Sequence, residues 1–288
     1  MVSGTERDLV FSVLAFGYLG DSAKVSFKSI DNLRPSAIHV MVDKAGADWI
    51  DKEIRPVVSS RIVLHEPRES DLKRLSLANA SSMTHYSDFG QERFIRLTAF
   101  KWDLIQRTLR DSKSSVFFSD LDVIWLSLPT TDFEADNESV VWAQDDTPKK
   151  SNGNHYCTGI MLWKNTDYAS QVLKHLFDLQ CTRIVSGHVI PDEPTFNLTV
   201  RTSNVLSTGT RSLNKEAYVV GHRFFFSFFN FKVASMIAFH ANYVKGEKEK
   251  YQRLEAIRRR SINDYSWMIL YFKSLIGEVK KRIKTQAL

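Results

Sequence analysis

The sequence predicts an α/β fold with a mainly parallel central sheet flanked by helices, and two observations carry that reading. Short apolar runs alternate with polar, helix-compatible stretches through the N-terminal part of the chain. A buried-strand run, Val116 to Phe118, then delivers Asp120 and Asp122 at its C-terminal end, the edge at which open α/β sheets bind ligands.

The elements follow in order. Leu9 to Phe16 is an apolar run ending at Gly17, Ala37 to Val42 one ending at Asp43, and Arg61 to Leu64 a third. Ser22 to Leu33 and Ala47 to Val57 are the helical stretches between them, which makes repeated βαβ units. Arg93 to Leu109 reads as one long amphipathic helix, with Phe94, Leu97, Phe100, Leu104 and Ile105 at helical spacing. Val140 to Ala143 and Ile160 to Trp163 are expected strands, and Tyr168 to Leu179 a helix. From Gly187 to Phe239 the segments are short and aromatic-rich. The run Phe224 to Phe229 reads first as core, with a sugar-stacking groove as the sharper alternative. No linker rich in Pro, Gly or Ser divides the chain. The expectation is one domain over 1–288, with a nucleotide-binding half at 1–126, an acceptor and catalytic half at 127–248 and a basic helical tail at 249–288.

Composition narrows the class. At 288 residues the chain can bury a sizeable core, and 43% hydrophobic with 25% charged residues excludes a disordered or fibrous protein. A net charge of +6 favours an anionic partner without choosing one. The basic residues show no helix-turn-helix, finger or aromatic-strand pattern, so no nucleic acid is expected. Much of the excess charge lies in the tail, at Lys248, Lys250, Arg253, Arg258 to Arg260, Lys280 to Arg282 and Lys284. That tail reads as a pair of solvated helices, or as a basic surface making peripheral contact with anionic lipid. Cys157 and Cys181 cannot build a disulfide framework and have no zinc spacing, which suits a reduced compartment. Met1 to Arg7 is not a signal peptide, and Phe224 to Phe239 is interrupted by Asn230 and Lys232. A cytoplasmic protein is therefore expected as given, and a luminal Golgi or ER catalytic domain cut from its anchor would read the same.

An acid-any-acid pair is weak evidence alone, since chance supplies roughly four in a chain this acidic. Its setting at a strand end gives it weight: hard carboxylate oxygens there suit Mg²⁺ or Mn²⁺ bridged to a diphosphate. His240 follows the apolar run Met236 to Phe239 and would add a nitrogen ligand, which tilts the choice toward Mn²⁺. Gly246 permits close backbone approach, and Lys245 and Lys248 place positive charge where phosphates would lie.

With these residues in view, Phe118-Ser119-Asp120-Leu121-Asp122-Val123-Ile124-Trp125-Leu126, followed by Pro129, resembles the DxD region of nucleotide-diphospho-sugar transferases. The resemblance is strongest to the group that includes plant cell-wall xylosyl-, arabinosyl- and galactosyltransferases. Cys157 to Leu162 is similar to their NTG-plus-strand segment, Asp192 to Asn197 to their DQ…N segment, and His240 to Gly246 to their HxN…G motif. The likeness spans about Leu9 to Lys248. It implies a GT-A fold with a smaller acceptor-side region. It also implies that Asp120 holds metal and donor ribose, that Asp122 and His240 are metal ligands, and that Lys245, Gly246 and Lys248 cradle the diphosphate. Ala15, Phe16, Gly17 and Tyr18, with Leu121, would contact base and ribose. Arg96 and Lys101 would reach donor sugar or phosphate if their faces turn inward. Cys157 stands where the family has Asn, and Glu193 where it has Gln, so hydrogen bonding to the donor sugar would differ.

The expected activity is metal-dependent transfer of a pentose or hexose from a UDP-sugar to a glycan hydroxyl. Asp145, Asp146, Asp192 and Glu193 are the carboxylates placed near the sugar, with Asp192 first and Glu193 beside it as the catalytic pair. The resemblance leans toward retention over inversion. Two competitors stand beside it. A haloacid-dehalogenase-like phosphohydrolase would use Asp120 as nucleophile, but its motif sits on the first strand. A non-catalytic sugar-nucleotide-binding module would not need the acidic pair and His240 together.

Overall fold

The computed structural model describes residues 8–17, 19–77, 91–129, 133, 136–147, 154–223, 235–244 and 246–286, with side chains of the last helix described to residue 277. The strands are β1 (Val10–Ala15), β2 (Ala37–Val42), β3 (Ile62–His65), β4 (Val116–Ser119), β5 (Val123–Trp125), β6 (Val141–Asp145), β7 (Tyr156–Trp163), β8 (Thr210–Leu213), β9 (Tyr218–Val220) and β10 (Ala238–His240). The helices are α1 (Asp21–Asp31), α2 (Lys44–Trp49), α3 (Glu69–Arg74), α4 (Glu92–Thr98), α5 (Phe100–Ser112), α6 (Asp167–Val185), α7 (Asp192–Thr202), α8 (Asn204–Gly209), α9 (Glu247–Ser261) and α10 (Trp267–Gln286).

Seven strands form one sheet in the order β3-β2-β1-β4-β7-β6-β8. The β3-β2-β1-β4 half is parallel throughout. β7 runs antiparallel to both β4 and β6, and β8 returns parallel to β6. β5, β10 and β9 make a second, three-stranded sheet with β10 in the middle.

Side-chain alternation splits the core into two layers. Val10, Met41, Val116, Phe118, Met161 and Trp163 face α5, α6 and α7, where Trp102, Leu176 and Phe196 meet them. Phe11, Val13, Ile38, Val40, Phe117 and Leu162 face the other way, onto Phe27 and Ile30 of α1 and onto Trp125 and Tyr218 of the small sheet. Both faces are covered, which is why β1 and β2 read as continuous apolar runs rather than alternating ones.

Three expectations change in detail. The single helix over Arg93 to Leu109 is two, α4 and α5, meeting at Ala99. The chain keeps right-handed dihedrals there, and Thr98 Oγ1 donates to Ile95 O at 2.8 Å, a back-bond that bends helices. The Ala47 to Val57 helix begins earlier, because Asp43 caps α2 by accepting from Gly46 N, and it continues as a π-helical turn over Ile50–Ile54. α6 runs on to Val185, starting from the Thr166 cap.

The tail is helical as expected, but its arginines are used internally. Arg258 and Arg259 both bond Glu255, and Arg260 lies 5.3 Å over the Trp267 ring. Leu254, Ile257 and Tyr271 pack with Ile124 and Phe239 of the small sheet. These contacts tie the basic run of α9 to its own helix and to the small sheet. Among the described residues no helix is long and apolar enough to cross a membrane. The Phe224 to Phe229 run lies outside the described residues.

Candidate active site

The C-terminal edge of the large sheet opens into a cleft of about 560 Å³, lined by the loops after β1, β2 and β4, by β7, α4, α7 and the segment after β10. Two strand pairings converge on it. Asp120 N donates to Gly159 O of β7 at 2.8 Å, which fixes the turn leaving β4. β5 pairs with β10 so that Val123 lies opposite His240, and Ala241 N donates to Asp122 O at 2.8 Å. The outcome is that His240 Nε2 lies 3.1 Å from Asp122 Oδ1 and 3.7 Å from Asp120 Oδ2. One ligating atom from each of Asp120, Asp122 and His240 falls within 4.8 Å of the others.

The imidazole is oriented from behind. His240 Nδ1 is 3.0 Å from Gln144 Oε1, and Gln144 Nε2 donates to Tyr218 O at 3.3 Å. That network makes Nδ1 the donor and turns Nε2 toward the carboxylates, the arrangement metal-binding histidines adopt. Gly159 leaves room for the ring: a Cβ there would sit 2.0 Å from His240 Cε1.

Charge is balanced by two lysines. Lys250 Nζ lies 2.8 Å from Asp122 Oδ2; buried Lys101 Nζ lies 2.5 Å from Asp192 Oδ2 and 3.5 Å from Asp120 Oδ1. Burial pushes the Asp120 carboxyl up, with Lys101 and His240 opposing. At Asp122 burial also pushes up, but Lys250 and His240 prevail and hold it below the usual carboxylate range. Burial lowers the His240 imidazole, yet the Asp122 charge prevails and raises it. Two oxygens and one nitrogen held this way fit a divalent cation of the Mn²⁺ or Mg²⁺ kind, which would replace the imidazolium proton as the positive partner.

Beyond this cluster the cleft has two ends. At one, Phe16, Gly17, Leu19 and Gly20 of the β1–α1 loop meet Asp43, whose Oδ1 accepts from Gly17 N at 2.9 Å. Glu247 accepts from Ser22 N and Ser22 Oγ, both at 2.6 Å, and so ties the segment after β10 to the start of α1. At the other end, α7 begins with Asp192 and Glu193. Asp192 accepts from Thr158 Oγ1 at 2.6 Å and from Lys101. Burial pushes it up, but Lys101 outweighs this and keeps it below its ordinary value. At Glu193 the pull of Lys101 is weaker: burial, Asp192 and Asp146 prevail and raise it to about 7. Asp146, His155 and Glu193 form a second group of close ligating atoms, with the Tyr243 hydroxyl donating to Asp146. Asn197 clasps β7 through Tyr156 N and Tyr156 O, so its role is to hold the strand under the cleft.

Asp120, Leu121, Asp122, His240, Lys101, Phe16, Gly17, Asp192 and Glu193 therefore all line one cleft. Four expected residues do not. Ala15 is buried in the core, its carbonyl against Gly46. Arg96 turns to Glu92 and Leu75 O, because Arg93, Leu97 and Lys101 take the inward face of α4 and α5. Gly246, at φ +90, is the bend that starts α9 rather than part of the lining. Lys248 is exposed, and Lys250 takes its place facing Asp122. Tyr18 and Lys245 lie outside the described residues. Sequence reasoning missed Lys250, Glu247, Asp43 and Gln144. The i, i+3 spacing of Glu247 and Lys250 on one helix was the signal available for the first two.

The chain matches the nucleotide-diphospho-sugar transferase family over residues 64–254. It belongs to that family. The transferase matches no curated protein. Among solved structures, the apo form of mouse xyloside xylosyltransferase 1 is 12% identical, with a TM-score of 0.53 over 82% of this chain and 98% of that one. The galactosyltransferase LgtC in complex with donor and acceptor sugar analogues is 12% identical, with a TM-score of 0.56 over 86% and 96%. The glycosyltransferase GlyE of Streptococcus pneumoniae is 14% identical, with a TM-score of 0.51 over 95% of this chain and 65% of that one. These likenesses establish the GT-A fold, and family membership makes the transferase a glycosyltransferase that takes a nucleotide-sugar donor. The phosphohydrolase reading loses its footing, since the acidic pair follows the fourth strand.

Proposed function

We propose that this glycosyltransferase moves a pentose or hexose from a UDP-sugar to a glycan hydroxyl, with a divalent cation held by Asp120, Asp122 and His240 and with retention at the anomeric carbon. The observation that carries the reading is the convergence of those three ligating atoms, oriented by Gln144 and flanked by Lys250 and Lys101, in one open cleft.

The cation, Mn²⁺ in preference to Mg²⁺, supplies electrostatic stabilisation of the leaving diphosphate. Lys250, beside Asp122, adds a positive charge that can reach a phosphate oxygen. Phe16, Gly17 and Leu121 seat the nucleoside. Asp192, kept ionised by Lys101, faces the sugar and stabilises the oxocarbenium-like centre as the bond to diphosphate breaks. Glu193, protonated below about pH 7, donates a hydrogen bond to the sugar where an amide stands in the family pattern. Retention accords with a carboxylate that is paired rather than free to take a proton. Asp146, His155 and Tyr243 offer acceptor-side polar contacts. The acceptor leaves its proton on the departing diphosphate.

The test is calorimetric titration of UDP with Mn²⁺ or EDTA, on the wild type and on Asp122→Ala. Binding that requires metal and disappears in the variant supports the reading, and screening of UDP-sugars for hydrolysis follows. No binding of UDP under either condition would sink it.

A further inference from the structure

The α7 end of the cleft carries a second set of ligating groups, which shares no residue with Asp120, Asp122 and His240. Asp146, His155 and Glu193 each bring one ligating atom within 4.8 Å of the others. The backbone fixes that spacing. Asp146 follows β6 and His155 precedes β7, and Asp146 N donates to His155 O at 2.9 Å, so the two stand opposite each other. Glu193 lies in the first turn of α7, and Asn197, one turn on, clamps that helix to Tyr156 beside His155. Its Oδ1 accepts from Tyr156 N at 2.9 Å and its Nδ2 donates to Tyr156 O at 2.7 Å. His155 Nε2 thereby comes to 3.8 Å from Glu193 Oε1.

Asp146 points to what belongs between them. It is 5% exposed, and its Oδ2 accepts from the Tyr243 hydroxyl. Its Oδ1 is buried with no hydrogen-bond partner, although His222 Nδ1 is 3.3 Å away. Buried acceptors are nearly always satisfied, and leaving one unmet is costly. Two atoms bound about 2.0 Å from a tetrahedral zinc ion stand about 3.3 Å apart. A carboxylate oxygen and an imidazole nitrogen at that distance, with no hydrogen bond between them, are spaced as two ligands of one ion. Charge points the same way. Asp120, Asp122 and Asp192 each have a lysine nitrogen within 3.5 Å. Among the described residues, Asp146 and Glu193 have only histidines in ion-pair contact. A neutral imidazole does not offset a carboxylate, but it is a ready metal ligand.

We propose that Asp146, His155 and Glu193 form a second cation site, selective for Zn²⁺, which His222 completes by a turn of its half-exposed side chain. Two imidazole nitrogens with two carboxylate oxygens suit zinc, whereas the set with one nitrogen at His240 suits Mn²⁺ as well. Glu193 cannot hold a cation and offer a proton to a sugar at once, so a filled site competes with the sugar contacts proposed above. The site itself does not depend on the identity of the donor.

Zn²⁺ titration against a chromophoric chelator, without nucleotide, tests the assignment. The wild type should bind two Zn²⁺ per chain, and Asp122→Ala and His155→Gln one each. In the double variant the remaining affinity should fall at least about tenfold. The His155 side chain is 33% exposed, so its replacement leaves the fold intact, and the count of two against one stands even if Asp122→Ala does not fold. Co²⁺ gives a second readout: Asp122→Ala should show the strong visible absorption of four-coordinate cobalt, and the double variant should lose it. Absence of Zn²⁺ binding in Asp122→Ala, or binding there that His155→Gln leaves unchanged, overturns the second site and leaves the donor reading standing. A single Zn²⁺ in the wild type, kept in Asp122→Ala and lost in His155→Gln, supports the second site and removes the cation from the donor reading.

Discussion

Gly159→Ala is the sharpest probe of the proposed metal site, because the clash it creates is with the His240 ring and not with the fold at large. The added Cβ would meet His240 Cε1 at 2.0 Å, Nδ1 at 2.5 Å and Nε2 at 2.8 Å. Ordinary contact needs about 3.5 Å, so ring and strand must part by roughly 1.5 Å. The bonds that orient the ring, 3.0 Å to Gln144 and 3.1 Å to Asp122, do not survive such a displacement. Gly159 lies in β7 and its carbonyl holds Asp120 N, so the backbone is not free to retreat in the ring's place. Losing the orientation of one ligand should lower Mn²⁺ affinity by about 10–100-fold or more. The overpacking should cost about 1–3 kcal/mol of stability. Mn²⁺ titration in the presence of UDP reads the first effect, and denaturant unfolding of the metal-free protein reads the second. A variant that binds Mn²⁺ as tightly as the wild type would refute the placement of His240 as a ligand.

Two pH dependences follow from the same structure. Glu193 is raised to about 7, so its proton is present below that pH and lost above it. Donor turnover should therefore fall as pH rises through 7, and Glu193→Gln should flatten that limb; a limb that persists in the variant removes Glu193 from the site's acid–base behaviour. His39 packs against His65, Nδ1 to Nε2 at 2.8 Å, and burial followed by the His65 charge lowers it to about 4. An unfolded histidine takes its proton near 6.5, so this contribution to stability is complete above 6.5 and is lost as pH falls toward 4. Its ceiling is about 3 kcal/mol. Unfolding free energies of wild type and His39→Gln should converge over that window, and parallel pH curves would count against it.

The sequence by itself determined the layered α/β plan and the centre of the site. Strand runs buried on both faces are apolar throughout, so β1, β2 and β4 announce themselves locally, and a strand-end carboxylate pair or a strand-end histidine is visible without any tertiary contact. Helix faces were less legible. Arg96 and Lys101 lie on one amphipathic stretch, yet only Lys101 turns inward, because the bend after Thr98 and the packing of Trp102 and Leu104 set the rotation. Lys248 and Lys250 look alike in a basic run, and the docking of α9 against the small sheet chooses Lys250. Asp43 and Gln144 carried no motif at all, and the motif that holds Gly159 gave no sign of its contact with the His240 ring. Their importance arises where β2 meets the β1–α1 loop, where β6 reaches the back of His240, and where β7 passes under its ring. Each of those is a meeting of segments remote along the chain, and the free energy that brings them together comes from the shared core and not from any one segment's own pattern.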